Sequence, residues 1–163
     1  MNSPPRITIL GIGNILFTDE GFGVRVVEQL GSGYEFSENV SILDGGVLGM
    51  NLLGLLSETD FLIVIDAIRK GENPGSLYKL EESEIPSRIR AKNSLHQVDF
   101  LEALTMCRVL DQCPQTVVLG VEPQDIETLS CELTPLIRTK VAPMIERVLE
   151  ETVRLGASYR QRE

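Results

Sequence analysis

The sequence predicts an α/β fold: a three-layer α/β/α sandwich around a twisted, mostly parallel sheet of about five strands. Three observations carry this. Short apolar or β-branched runs alternate with helical patterns along 163 residues. The clearest run, FLIVID (Phe61 to Asp66), lacks polar alternation, as a strand covered on both faces requires. Acids close successive strands: Asp19 and Glu20 follow the first, Asp44 ends the second and Asp66 ends the third. In open parallel sheets ligands bind at the carboxyl ends of the strands, so these acids fall where a site belongs.

The elements follow in order. RITILGI (Arg6 to Ile12) is β-branched, short and followed by a turn, which predicts a buried strand. GVRVVEQL (Gly23 to Leu30) reads as a helix ended by Gly31 and Gly33. VSILD (Val40 to Asp44) is a second strand. VLGMNLLGLL (Val47 to Leu56) is apolar on nearly every side and predicts a buried helix despite Gly49 and Gly54. After FLIVID, a turn at Pro74-Gly75 leads into a short edge strand. QVDFLEALTMCRVL (Gln97 to Leu110) is helical, and TVVLGVEP (Thr116 to Pro123) is another strand. The last helix opens with Thr134 as N-cap and Pro135 at the first helical position. Ile137, Val141, Met144, Val148, Thr152 and Leu155 recur at helical spacing, with a kink expected at Pro143. One domain spans residues 1–163, with the tail from about residue 157 expected to fray.

Composition narrows the function. Hydrophobic residues make up 42% of the chain, enough for a packed core. Fifteen basic residues against twenty-four acidic ones leave a net charge of −9, which opposes binding to nucleic acid or anionic membranes. Arg88, Arg90 and Lys92 read as a solvated stretch, not a basic patch. No apolar run reaches the length of a membrane span. The N-terminus lacks a small-residue cleavage site and reads as a first strand. Cys107, Cys113 and Cys131 are odd in number without CxxC spacing, which points to free structural thiols in a reducing cytoplasm.

The loop GIGNILFTDEGFG (Gly11 to Gly23) begins like a dinucleotide-binding turn and then departs from it. Leu16 stands where a third glycine belongs, and two carboxylates follow, which a phosphate-binding loop would not use. Glu20, Asp66 and the single histidine, His96, form an O, O, N set suited to a borderline divalent cation such as zinc, nickel or cadmium. Each residue also has a plain structural reading. Asp19 and Glu20 suit the positive end of the following helix, Asp66 a cap or turn, and His96 a cap or a surface position. Other chemistries drop out. HExxH needs a second histidine, and neither GxSxG nor GxxxxGK(S/T) occurs. LDGGV around Asp44 lacks the Asp-Thr/Ser-Gly of a pepsin-like protease.

GIGNILFTDEGFGVRVVEQL, LDGGVLGMNLL, FLIVIDAI and SLHQVDF together resemble the nickel–iron hydrogenase maturation endopeptidases. The resemblance runs in order from the first strand to GVEP (Gly120 to Pro123), and LTP (Leu133 to Pro135) also fits. It implies a phosphorylase/hydrolase-like α/β/α sandwich and one specific proteolysis: removal of the C-terminal extension from a nickel-loaded hydrogenase large-subunit precursor. Nickel, supplied by that precursor, is the recognition element, and zinc or cadmium would fit the same site. The metal-contacting and catalytic positions carried over are Glu20, Asp66 and His96, with Asp44 a further family feature. The resemblance leaves metal-dependent and aspartic-type mechanisms open. Two rivals stand beside it: a non-catalytic nickel-binding maturation chaperone, and an α/β nucleotide- or RNA-handling protein, since GIGN also resembles the start of peptidyl-tRNA hydrolases.

Overall fold

The computed structural model describes residues 3–45, 51–81, 84 and 95–163. Strands β1 (Ile7–Gly11), β3 (Val40–Asp44), β4 (Phe61–Ala67), β5 (Leu77–Glu81) and β6 (Gln115–Val121) form one five-stranded sheet in the order β3-β1-β4-β6-β5. All pairs are parallel except the edge pair of β5 with β6. Continuously apolar β4 and β6 occupy interior positions, where both faces are covered.

Alternation along each strand feeds two cores. Ile7, Ile9, Ile63 and Ile65 face one side and pack with helices α1 (Phe22–Gly33) and the long C-terminal helix (Val141–Arg154), through Phe22, Val26, Met144 and Val148. Leu10, Leu62 and Val64 face the other side and pack with α2 (Asn51–Ser57) and α3 (Leu95–Val109), through Leu56, Leu104 and Cys107. Phe22, Ile65 and Leu104 are at most 1% exposed, and burying one such side chain contributes roughly 1.5–3 kcal/mol. The three-layer sandwich follows directly.

Several local expectations differ from the structure. Helix α1 does not stop at Leu30 but continues through Gly31 to Gly33. Nothing lies within 4 Å of a Cβ added at Gly31 or Gly33, so both glycines are on open surface and the helix passes over them. In α2, Leu53 and Leu55 are half-buried and only Leu56 is fully buried among the described side chains, so this helix lies on the sheet and is not enclosed. Residues 47–50 of its expected span, and Arg88, Arg90 and Lys92, lie outside the described residues.

The C-terminal helix breaks earlier than Pro143 suggests. A short helix α4 (Pro135–Arg138) is followed by α5 (Val141–Arg154). Pro143 therefore falls in the first turn of α5, where no amide donor is required. The tail does not fray. Tyr159–Gln161 forms a strand, β7, antiparallel to a short strand β2 (Tyr34–Phe36) that sequence periodicity missed. Tyr159 packs edge-on against Tyr34 at 5.7 Å, and Arg160 pairs with Glu35 at 2.6 Å. The three cysteines are free, as expected.

Candidate active site

Strand β1 is the turning point of the sheet. The chain leaves it through α1 to β3 on one side, then crosses through α2 to β4 on the other. The crevice between β1 and β4 is the place where such folds hold ligands. Two predicted acids meet this crevice. Glu20 lies in a 3-10 turn (Thr18–Gly21) that follows β1, and Asp66 lies near the end of β4. The pairing of β1 with β4 extends past the strand end, because Ile12 N–H donates to Ile65 O at 3.0 Å. This brings the loop against the residue that precedes Asp66.

Glycines make that approach possible. A Cβ on Gly13 would lie 1.8 Å from Glu20 O, and one on Gly23 would lie 2.1 Å from Ile65 O. Gly13 also has φ +148°, in the range that favours glycine. The glycines of the motif thus seat the loop and the start of α1 against β4, and they hold the Glu20 backbone in place. The close packing a dinucleotide loop assigns to its third glycine falls to Gly23, which leaves Leu16 at the surface, 50% exposed.

Asp66 is 2% exposed, whereas Glu20 is half-buried. By strand alternation Asp66 shares its sheet face with Val64 and Leu62, the face covered by α2 and α3. His96 falls in the first turn of α3, not in the loop before it. Since α3 feeds β6, which runs parallel to β4, its first turn belongs to the carboxyl end of the sheet. The His96 side chain lies outside the described residues. Among the described residues no three His, Cys, Asp or Glu side chains are grouped to hold a metal ion. The chemistry of the donor set still fits a borderline cation: two carboxylates, one of them buried, and an imidazole.

Asp44 separates from this pair. It is exposed and stands level with Gly11 and Ile65 across the sheet, so alternation puts it on the face opposite Asp66. The strand β1 also lies between them, about 10 Å of sheet at ordinary strand spacing.

Asp19 has a role that sequence spacing did not reveal. It is 0% exposed and accepts the backbone N–H groups of Gln124 and Asp125 on Oδ2, each at 2.9 Å. It also accepts Thr134 N–H on Oδ1 at 2.8 Å, and the Thr134 hydroxyl lies 3.0 Å from both oxygens. Thr134 therefore caps no helix with its side chain, because the buried carboxylate takes its hydroxyl. Asp19 ties the segment 124–134 to the loop that carries Glu20. Thr18 tightens the same seam. Its φ of +54° is unusual for a β-branched residue, and its N–H and hydroxyl donate to Ser130 O at 2.9 Å and Thr128 O at 2.6 Å. Glu122, 4% exposed, is a second such clamp. Its carboxylate accepts the Lys70 N–H at 2.7 Å and the Gly71 N–H at 3.1 Å, which fixes the turn after β4. Asp125 shapes the segment itself. The Thr128 hydroxyl, then the Thr128 and Glu127 amides, hold its carboxyl below the ordinary carboxylate range. An acid ending the buried strand in GVEP was the one visible sign of these clamps.

A glycine-seated loop and a buried acid at the turning point of a parallel sheet define a small α/β protein with a carboxylate site at its switch point. The chain matches the hydrogenase maturation protease family model over residues 24–151. It is 41% identical over 165 residues to the hydrogenase expression/formation protein HupD of Thiocapsa roseopersicina, covering 100% of this chain and 75% of that protein. It is also 41% identical over 146 residues to the hydrogenase 2 maturation protease of Escherichia coli, covering 88% of each. The solved hydrogenase maturating endopeptidase HybD of E. coli superimposes with a TM-score of 0.92 at 38% identity, covering 96% of this chain and 98% of that one. This chain belongs to the hydrogenase maturation protease family and is a peptide-bond hydrolase.

Proposed function

We propose that this endopeptidase removes the C-terminal extension of a nickel-loaded nickel–iron hydrogenase large-subunit precursor in the cytoplasm, and that Glu20, Asp66 and His96 are its working residues. The observation that carries the reading is the meeting of the Glu20 loop with the Asp66 end of β4 at the switch point. Nickel arrives with the precursor and is part of the substrate. Bound to a carbonyl oxygen or to water, such a cation supplies Lewis-acid polarisation. The chain's own task is to position. Asp66, buried, presents a carboxylate whose orientation is set by the strand. Glu20 supplies a second carboxylate from a turn held on one side by Gly13 and on the other by the Asp19 clamp. His96 supplies the neutral nitrogen, so activity should fall as pH drops and the imidazole is protonated.

The test is a processing assay on a large-subunit precursor with and without nickel, followed by mass. Cleavage that needs nickel and drops at least about 100-fold in Glu20→Gln, Asp66→Asn and His96→Ala is the expected result. Each variant is checked for folding by its thermal transition. Normal cleavage by all three folded variants would overturn the site. Nickel-dependent binding with no cleavage by wild type would favour the maturation chaperone instead.

A further inference from the structure

We infer that Lys70 is a specificity-determining residue for the peptide hydrolysis: its ammonium group, held on the Tyr78 ring at the β6 side of the crevice, takes a carboxylate of the C-terminal extension to be cut. The inference rests on the proposed function. Asp66, Gly120 and Tyr78 stand in one row across β4, β6 and β5, so their side chains share one face of the sheet. Gly120 leaves a gap in that row, and the Tyr78 ring fills it. A Cβ on Gly120 would lie 2.3 Å from Cε2 of the ring and 2.8 Å from Cζ. The ring therefore reaches from β5 across β6 towards β4, where its hydroxyl donates to Ile68 O, just past Asp66. Lys70 Nζ lies over the ring, 4.2 Å from its centroid. Asp66 thus stands between the Glu20 loop on the β1 side and this platform on the β6 side.

The ammonium is held without a counter-ion. Among the described residues it contacts the Tyr78 ring and pairs with no carboxylate. The buried acid beside it, Glu122, gives its two oxygens to the backbone N–H groups of Lys70 and Gly71, at 2.7 and 3.1 Å. Glu122 therefore fixes the backbone that carries the ammonium and leaves the charge itself unpaired. A ring face attracts a cation without neutralising it. Elsewhere Arg25, Lys79, Arg154 and Arg160 each pair with a carboxylate. In a chain of 15 basic and 24 acidic residues, a cation kept off the described carboxylates, beside a buried acid of the site, is available to an incoming anion. The substrate of a peptide-bond hydrolase is a polypeptide, whose anionic groups are carboxylates, and an ammonium makes strong charge-assisted hydrogen bonds to them. Glu20 and Asp66 repel such a group, so it has to enter on the side that holds the cation.

The experiment follows processing of a hydrogenase large-subunit precursor by wild type, Lys70→Met and Lys70→Arg. It measures kcat, KM, precursor binding and thermal transition. Methionine keeps the apolar stem and loses the charge, whereas arginine keeps the charge. The expected result is a KM raised about threefold or more in Lys70→Met and restored in Lys70→Arg, with kcat within about twofold and the thermal transition unchanged. Added salt should raise the wild-type KM more than that of Lys70→Met. Two altered precursors locate the carboxylate. In one, every Asp and Glu of the extension becomes Asn or Gln; the other also carries a neutral glycine–serine tail that moves the terminal carboxylate away. The Lys70 effect should vanish with the first if a side chain is bound, and only with the second if the terminus is. An effect that survives both overturns the proposal, as does an unchanged KM in folded Lys70→Met. So does a loss that tracks a lowered thermal transition and is not restored by arginine, because that marks a structural stem. If wild type binds the precursor without cutting it, the protease reading alone falls, and the same comparison of dissociation constants decides the Lys70 contact. A wild type that never binds the precursor overturns both.

Discussion

The two ends of the sheet neutralise buried carboxylates in different ways. At the amino end, Glu151 is held by cations: Lys79 at 3.2 Å and Arg154 in contact with its other oxygen. These groups line a cleft of about 790 Å³ together with Arg108 and Glu81. At the carboxyl end, Asp19 and Glu122 are held by backbone N–H groups and a hydroxyl, and among the described residues neither forms an ion pair. Neutral dipoles solvate a carboxylate without cancelling its charge. Asp19 and Glu122 are therefore satisfied by dipoles, whereas Glu151 is paired directly with the cations Lys79 and Arg154.

That contrast can be broken experimentally, from the largest effect down. Asp19→Ala should cost about 3–5 kcal/mol, since three backbone donors and a hydroxyl lose a buried acceptor. Urea unfolding checks this, and added salt should hardly change the difference. Gly13→Ala follows, at about 2–3 kcal/mol, because its Cβ must displace the Glu20 carbonyl. Its activity loss should exceed its stability loss, whereas a purely structural clash would give matched losses.

Glu151→Gln comes next, at about 1–3 kcal/mol. Burial alone would raise the Glu151 carboxyl, but the hydrogen bonds and charges of Arg154 and Lys79 reverse this and leave it below its ordinary value. A lowered folded-state pKa means the stabilisation is complete above the unfolded carboxylate value. It is lost as pH falls through the folded value. Wild type should therefore lose stability on acidification more steeply than Glu151→Gln, as thermal transitions across pH 7 to 3 would reveal. If the variant showed the same slope, the amino end would not be the cation-balanced region. Leu129→Ser should be smallest, within about 0.5 kcal/mol, as expected for a surface side chain.

Much of this was legible in the sequence. The apolar runs at β4 and β6 and the placing of acids after strands follow from period and position. The tail was not. Tyr159 and Arg160 look like a polar end until Tyr34 and Glu35 are beside them. The helix break before Val141 was also hidden, because Pro143 is compatible with either a kink or a first turn.

The adjacent acids Asp19 and Glu20 mark the boundary most sharply. Local pattern is enough to put two carboxylates after β1 and to carry them to the ligand-binding end of a parallel sheet. Long-range packing alone makes the first a buried clamp and leaves the second half-buried. The reason is range. Strand and helix periods are set by neighbours a few residues away. The donors that claim Asp19 lie 105, 106 and 115 residues further along the chain, and no local pattern announces which carboxylate they will find.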